Sequence, residues 1–201
     1  MKKTKKIVFF INHVAFFVSH RLPLALHARK NGYDVSLLTG LPASKIMESD
    51  ALKIIKKYNI KHKQVLISPS GFNLFLDLIG IFQILIFFIK KRPDIIHAAA
   101  TKPILYGAFI SKLLRINGVV ISFAGMGYIF TGQANLIKKL LQNLIIYFQR
   151  WIFSYAKIKV IVQNKDDKNF LIRQKIIDKN KIISIKGSGV DLNKFKYSDH
   201  K

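Results

Sequence analysis

The chain has 201 residues, enough for one full-sized domain at the usual scale of about 100–200 residues per domain. Half of it is hydrophobic, 22% is charged and none is cysteine, so it can bury a core and offers no disulfide framework, thiol nucleophile or cysteine metal site. Lys plus Arg number 34 against 10 Asp plus Glu, a formal net charge of +24, and Glu48 is its single glutamate, a poor inventory for a paired-carboxylate hydrolase. Such a charge is read as a basic patch for anionic lipid, as one for nucleic acid, or as lysines spread over every exposed face for solubility. No nucleic-acid partner is expected, because the lysines do not cluster with aromatics in a reader motif.

In chain order, Lys2 to Lys6 followed by Ile7–Ile11 mimics a signal peptide, but Asn12 and His13 interrupt the apolar run and no small-residue cleavage site follows. The run reads as a first strand. Pro23 is harmless only in the first turn of a helix, so the helix Leu22–Asn31 should begin near His20, with Ser19 or His20 close to the cap. Asn12–Val18 then becomes a long loop with Phe16 and Phe17 at its tip, exposed to a lipid acceptor, a membrane or a second domain unless the rings fold back onto the core. Val35–Thr39 is the second strand, Lys45–Tyr58 a helix and Gln64–Ile67 the third strand. Phe72–Ile89 approaches the roughly 20 apolar residues of a membrane span, but Asn73, Asp77, Gly80 and Gln83 dilute it. A helix over Asn73–Lys90 packed under a neighbour is expected there. Strands follow at Ile95–Ala98, Val119–Phe123, Val160–Val162 and Ile182–Ile185, with helices at Ile104–Arg115, Leu136–Tyr155 and Lys165–Lys175. The helix Leu136–Tyr155 sets Ile137, Leu140, Leu144, Phe148, Trp151 and Tyr155 on one stripe, against Lys138, Lys139 and Arg150 on the other.

Short apolar strands alternating with helices imply parallel pairing with both faces covered, a doubly wound α/β domain with a mostly parallel sheet of about seven strands. Ligands then sit outside the carboxyl ends of the strands. The residues there are Asn12 and His13, Gly40, Ser68 to Gly71, His97 to Thr101, Ala124 to Tyr128, Gln163 to Asp167, and Gly187 to Asp191. Asp94 precedes its strand, and its role is structural. The first loop lacks G-x-G-x-x-G and no acid follows the second strand, so NAD and FAD are excluded from this half, and no P-loop occurs. His13, His20 and His97 can supply a base or hydrogen bonds to sugar hydroxyls or phosphate, and structural hydrogen bonding is the competing role for each. No carboxylate accompanies them at metal-ligand spacing, and Asp-x-Asp is absent. Gly125 and Gly127 permit close backbone approach to a ligand or simply a tight turn. Asn164 is an N-cap with Asp167 at the third helical position.

Ser19-His20-Arg21-Leu22-Pro23-Leu24-Ala25, Asp94 to Ala98 with Thr101-Lys102-Pro103, Gly125-Met126-Gly127-Tyr128-Ile129-Phe130, Gln163 to Asp167, and Gly187 to Asp191 with Phe195 occur in that order. This set resembles the N-terminal domain of family-4 glycosyltransferases, in the branch that builds capsule, O-antigen and other lipid-linked surface glycans. The resemblance implies a Rossmann-like lobe of a GT-B enzyme over residues 1–190, with 191–201 opening the interdomain linker and the C-terminal lobe absent, so that the chain alone should not transfer sugar efficiently. It implies retaining, metal-independent transfer from a UDP- or GDP-linked sugar held mainly by the other lobe, with no cofactor. His13 and His97 are the implied catalytic residues. Asn12 and the Gly125–Gly127 backbone would lie near the phosphate and the transferred sugar. His20, Thr101, Lys102 and Asn164 complete the substrate-binding set, with Lys102 meeting an anionic diphosphate. The implied partners are a glycan or polyprenyl-diphosphate-linked acceptor and an anionic membrane surface, and the implied location is the inner face of the cytoplasmic membrane. Where many relatives carry a histidine before the glycine of the fifth loop, this chain has Ala124. The competing readings are a GT-B-fold UDP-sugar epimerase and a non-catalytic, basic membrane-surface module.

Overall fold

A computed structural model describes residues 3–42, 44–69, 71, 73–123, 136–187 and 189. Among the described residues seven strands form one sheet: β1 Lys6–Ile11, β2 Asp34–Thr39, β3 Lys61–Gln64, β4 Ile95–Ala99, β5 Gly118–Phe123, β6 Ile158–Val162 and β7 Ile182–Ser184. Their order is β3-β2-β1-β4-β5-β6-β7 and every pairing is parallel. The helices are α1 Val14–His20, α2 Leu22–Lys30, α3 Lys45–Lys57, α4 Leu74–Lys91, α5 Thr101–Leu113, α6 Leu136–Phe153 and α7 Lys165–Arg173. The doubly wound α/β architecture expected from the sequence is therefore present.

Strand side chains alternate between faces, and the two cores follow that alternation. Val8 and Phe10 of β1 join Ile96 and Ala98 of β4 under α4, α5, α6 and α7. Ile7, Phe9 and Ile11 turn to the other face, under Val14 and Phe17 of α1, Ala25 of α2, and Ala51 and Ile55 of α3. Asp94 lies at the opposite edge from the strand carboxyl ends, where its Oδ2 accepts the Lys6 N–H at 2.8 Å, a structural role as expected.

Three expectations need correction. Residues 14–20 are helical, not a loop. Arg21 alone separates α1 from α2, where Pro23 sits in the first turn with Arg21, not Ser19 or His20, at the cap. Phe17 is fully buried, edge-on to Phe9 at 5.7 Å, so the pair is not an exposed tip. The third strand lies three residues earlier than expected. Lys61–Gln64 is a polar edge strand; beyond it the Val65 N–H still donates to the Thr39 carbonyl at 2.8 Å, and the Val65 and Ile67 side chains are buried in the core. Finally, α4 is covered on one face only: Asp77, Gly80, Ile84 and Phe88 face inward, but Leu74, Phe75, Leu78, Phe82 and Ile89 are exposed.

The inward face of α4 runs very close to the segment after β3. A Cβ on Gly80 would stand 2.5 Å from the Leu66 carbonyl oxygen and 2.7 Å from Ile67 Cγ1, and Gln83 Oε1 accepts the Leu66 N–H at 2.8 Å. Backbone cannot yield as a flexible side chain would. Gly80→Ala is therefore expected to destabilise the domain by about 2 kcal/mol, within the range for overpacking, read as a lower midpoint in urea unfolding with unchanged slope.

Candidate functional site

The winding reverses between β1 and β4: the chain builds β2 and β3 on one side of β1, then returns to lay β4 on the other. Such a switch point opens a crevice at the carboxyl ends. Asn12 and His13 end one wall, and Ala100 and Thr101 the other. The Asn12 carbonyl accepts the Gly40 N–H at 2.9 Å, and the Asn12 Nδ2 donates to the Pro69 carbonyl at 3.4 Å, so the loops after β1, β2 and β3 are tied together. Ala100 has φ 78° and ψ 153°, a region nearly reserved for glycine that costs about 1–3 kcal/mol. Its carbonyl still accepts the Ile104 N–H at 2.9 Å, anchoring α5, and Thr101 is exposed at the first helical position.

The α1 segment orders two imidazoles. His13 is its N-cap, and the Phe16 N–H donates to His13 Nδ1 at 3.2 Å. A neutral ring that accepts at Nδ1 carries its proton on Nε2. The Val14 and Ala15 N–H groups donate to Glu48 Oε1 and Oε2 at 2.9 and 3.1 Å. Glu48 is buried, and its Oε2 lies 3.9 Å from His13 Nδ1. Ser19 Oγ reaches the Ala15 and Phe16 carbonyls at 3.0 and 3.1 Å and His20 Nδ1 at 2.6 Å. In the tautomer where the single Ser19 hydrogen goes to the backbone, Ser19 accepts from His20 Nδ1–H and His20 Nε2 keeps its lone pair. Phe16 stacks on His20 at 4.4 Å and lies edge-on to His13 at 6.3 Å. The result is a row, His13–Phe16–His20, with an N–H donor at one end and an acceptor at the other.

Other expected residues are placed differently. His97 is not at the rim. It is the third residue of β4 and 6% exposed, with its ring 5.1 Å from that of Phe9 and its Nε2 3.2 Å from Ser122 Oγ. Burial, with a smaller contribution from the Arg21 cation, pushes its pKa down to about 3. Lys102 does not present its ammonium to the crevice: Nζ donates to Asp77 Oδ1 and Oδ2 at 3.0 and 2.8 Å and to Ser68 Oγ. Asp77 is buried and also accepts from the Tyr106 hydroxyl at 3.2 Å and the Ser68 N–H at 3.4 Å. Burial first, then Asp77, raises the Tyr106 phenol well above its ordinary range. The Asn164 amide spends both ends on Asp167, Oδ1 accepting its N–H at 2.7 Å and Nδ2 donating to its Oδ2 at 2.8 Å. Gly125 and Gly127 lie outside the described residues. Among the described residues, no group of three or more His, Asp or Glu side chains could hold a metal.

The structure thus brings Asn12, His13 and Thr101 to the switch point and sets His20 at the far end of the α1 row. It adds two carboxylates that sequence reasoning did not single out for the site, Glu48 and Asp77. The signals were faint: one was the chain's single glutamate, the other an acid one turn into an apolar helix.

Residues 6–164 match the glycosyl transferase 4-like family. The chain belongs to that family. No curated protein matches the sequence. Among solved structures, this glycosyl transferase 4-like chain is similar to a glycosyltransferase from Rickettsia africae, at 19% identity and a TM-score of 0.65, covering 96% of this chain and 45% of that one. It is similar to Acinetobacter baumannii MurG at 16% identity and a TM-score of 0.58, covering 93% and 46%. It also resembles the UDP-GlcNAc 2-epimerase of Neisseria meningitidis bound to UDP-GlcNAc, at 14% identity and a TM-score of 0.61, covering 92% and 47%. At these identities the likeness is one of fold, that of the N-terminal GT-B lobe. The chain spans slightly less than half the length of each of these structures.

In this family member the buried His97 carries a pH consequence. Its folded pKa lies below the unfolded value of about 6.5, so the unfolded chain binds a proton that the native state refuses between roughly pH 6.5 and 3. Its contribution is absent above pH 7, and stability falls as the pH drops through that window, by at most about 1.4 kcal/mol per pH unit. His97→Asn, which cannot titrate, should flatten the acid limb of a Tm-against-pH curve, with a constant offset at neutral pH.

Proposed function

We propose that this chain is the acceptor-side half of a nucleotide-sugar-dependent glycosyltransferase that acts in cell-surface polysaccharide or lipid-linked glycan synthesis. The family match over residues 6–164 carries the reaction class. The crevice supports the role of this half: His13 Nε2–H is suited to a phosphate oxygen, and the His20 Nε2 lone pair to an acceptor hydroxyl. The donor would be UDP- or GDP-linked and held mainly by the other lobe. Transfer would proceed with retention and without a metal, as the family resemblance implies. Asn12 and Thr101 would border the reacting groups.

The test is transfer of labelled sugar from UDP- and GDP-sugars to polyprenyl-diphosphate-linked acceptors by the product of the complete gene. His13→Ala and His20→Ala should each lower transfer by roughly 100-fold, the low end for a positioned proton-transfer or hydrogen-bonding group. Conversion of free UDP-GlcNAc to its epimer without consumption of acceptor would replace this reading with the epimerase one.

The outer surface of α4, α5 and α6 supports a lipid-side location. Outside the Lys102–Asp77 and Lys91–Asp34 pairs, these helices carry Lys90, Lys112, Lys139 and Arg150 and no further carboxylate. Phe75 is 74% exposed, Phe82 62%, Leu140 63% and Tyr147 72%, apolar groups that contact with lipid would cover. No helix among the described residues is long and apolar enough to cross a membrane. The proposal is peripheral attachment to the anionic inner face of the cytoplasmic membrane, with lysines near the surface adding about 1 kcal/mol each. In vesicle flotation, anionic phosphatidylglycerol vesicles should retain the protein and neutral phosphatidylcholine vesicles should not. The double variant Phe75→Glu, Phe82→Glu should release it, and equal retention on both vesicles would overturn the attachment.

A further inference from the structure

Of the first four amides of α1, Val14 and Ala15 donate to Glu48, and Phe16 donates to His13 Nδ1. The first intrahelical bond runs from the Phe17 N–H to the His13 carbonyl at 3.2 Å. A side chain at the N-cap ordinarily reaches the second or third helical amide. The carboxylate of Glu48 already holds the second, so the imidazole is left with the third. That carboxylate comes from α3, 34 residues along the chain, and is buried where a charge survives only if hydrogen-bonded.

We propose that Glu48 is a positioning residue: by taking the Val14 and Ala15 amides it leaves the Phe16 amide to His13 Nδ1, and so fixes His13 as an outward Nε2–H donor. The first turn of α1 begins where a doubly wound fold commonly receives a phosphate. Here the chain's own carboxylate fills that place. A phosphate oxygen arriving at the switch point would therefore meet the His13 Nε2–H, not the backbone amides of the turn. With Glu48 gone, two amides lose their acceptor, the first turn loosens, and the Phe16 N–H no longer dictates which ring nitrogen of His13 carries the proton. The meaning of this for catalysis rests on the transferase reading above. The arrangement of the ring does not.

The experiment has two readouts. In the 201-residue chain, long-range nitrogen–proton NMR of the His13 ring should show an unprotonated, hydrogen-bond-accepting Nδ1 and a protonated Nε2. In Glu48→Gln, whose amide can accept from only one of the two N–H groups, the His13 nitrogens should move towards a mixed tautomer while core methyl resonances stay in place. Should that variant fail to fold, Glu48→Asp keeps the charge on a side chain too short to reach both amides and should give the same shift. A folded variant with unchanged His13 nitrogens would overturn the proposal. In the transfer assay, Glu48→Gln should lower kcat/KM by tenfold or more, and the double variant Glu48→Gln, His13→Ala should be no slower than His13→Ala alone. Additive losses would overturn the link to His13. Comparing KM for UDP- and GDP-sugars with KM for the polyprenyl-diphosphate acceptor shows which phosphate the His13 N–H serves. Absence of transfer by the wild-type protein would remove the functional reading and leave the ring-nitrogen result standing by itself.

Discussion

β1 lies inside the sheet, paired with β2 along one edge and β4 along the other, and the crevice exists because the chain returns to it. After building β3 at the edge, the polypeptide must cross back over β2 and β1 to start β4. The 18 residues of α4 make that crossing, a length of about 27 Å at 1.5 Å per residue. The helix must stay low enough to bury Ile84 and Phe88 against the sheet, which forces the contact at Gly80. Gln83 and Asp77 then hold the Leu66 and Ser68 amides of the segment beneath. Asn12 is tied to the same segment through Pro69. A tight crossing thus draws the loops of β1, β2 and β3 together on one side of the switch point, and α5, anchored at Ala100, forms the other side.

Legibility in the sequence followed burial. β1, β2 and β4 are covered on both faces, so Ile7–Ile11, Val35–Thr39 and Ile95–Ala98 read as continuous apolar runs, and the alternation of strand and helix was enough to specify the sheet. β3 has one open edge and the polar sequence Lys61–Gln64, which carries no such signal. The apolar Val65–Ile67 looked like the strand because Val65 and Ile67 serve the core. For α4 itself, the second half, Ile84–Ile89, is apolar all round and cannot say which face finds a partner.

Local cues failed wherever the decisive partner was distant. Nothing near residues 14–20 resembles a capping box, because the carboxylate that caps α1 belongs to α3. Lys102 at the start of α5 looked available to a ligand because Asp77, its partner, is 25 residues earlier on a different helix. His97 was placed in the correct strand but at the wrong depth. The parity of β4 turns it towards Phe9 and Ser122, two residues below the strand's end, and burial there makes it neutral. The rim residues Asn12, His13 and Thr101 were legible because a doubly wound fold specifies the strand end without reference to side-chain contacts.

Glu48 and Asp77 also occupy donors near the switch point of a chain of net charge +24. Each carboxylate satisfies donors that would otherwise face the switch point: two backbone amides in one case, an ammonium, a phenol and an amide in the other. The positive groups of α4, α5 and α6 outside that network lie near helix ends, Lys90, Lys112 and Arg150 in last turns and Lys139 in a first turn. Between exposed groups their field decays over roughly 8 Å at physiological salt. On the proposed reading, long-range attraction to an anionic surface and short-range recognition at the crevice would therefore be carried by different groups. The first depends on ionic strength. The second would depend on the rings of His13 and His20, held by the Phe16 N–H and by Ser19 Oγ, so a substitution that strips surface lysines leaves their geometry intact.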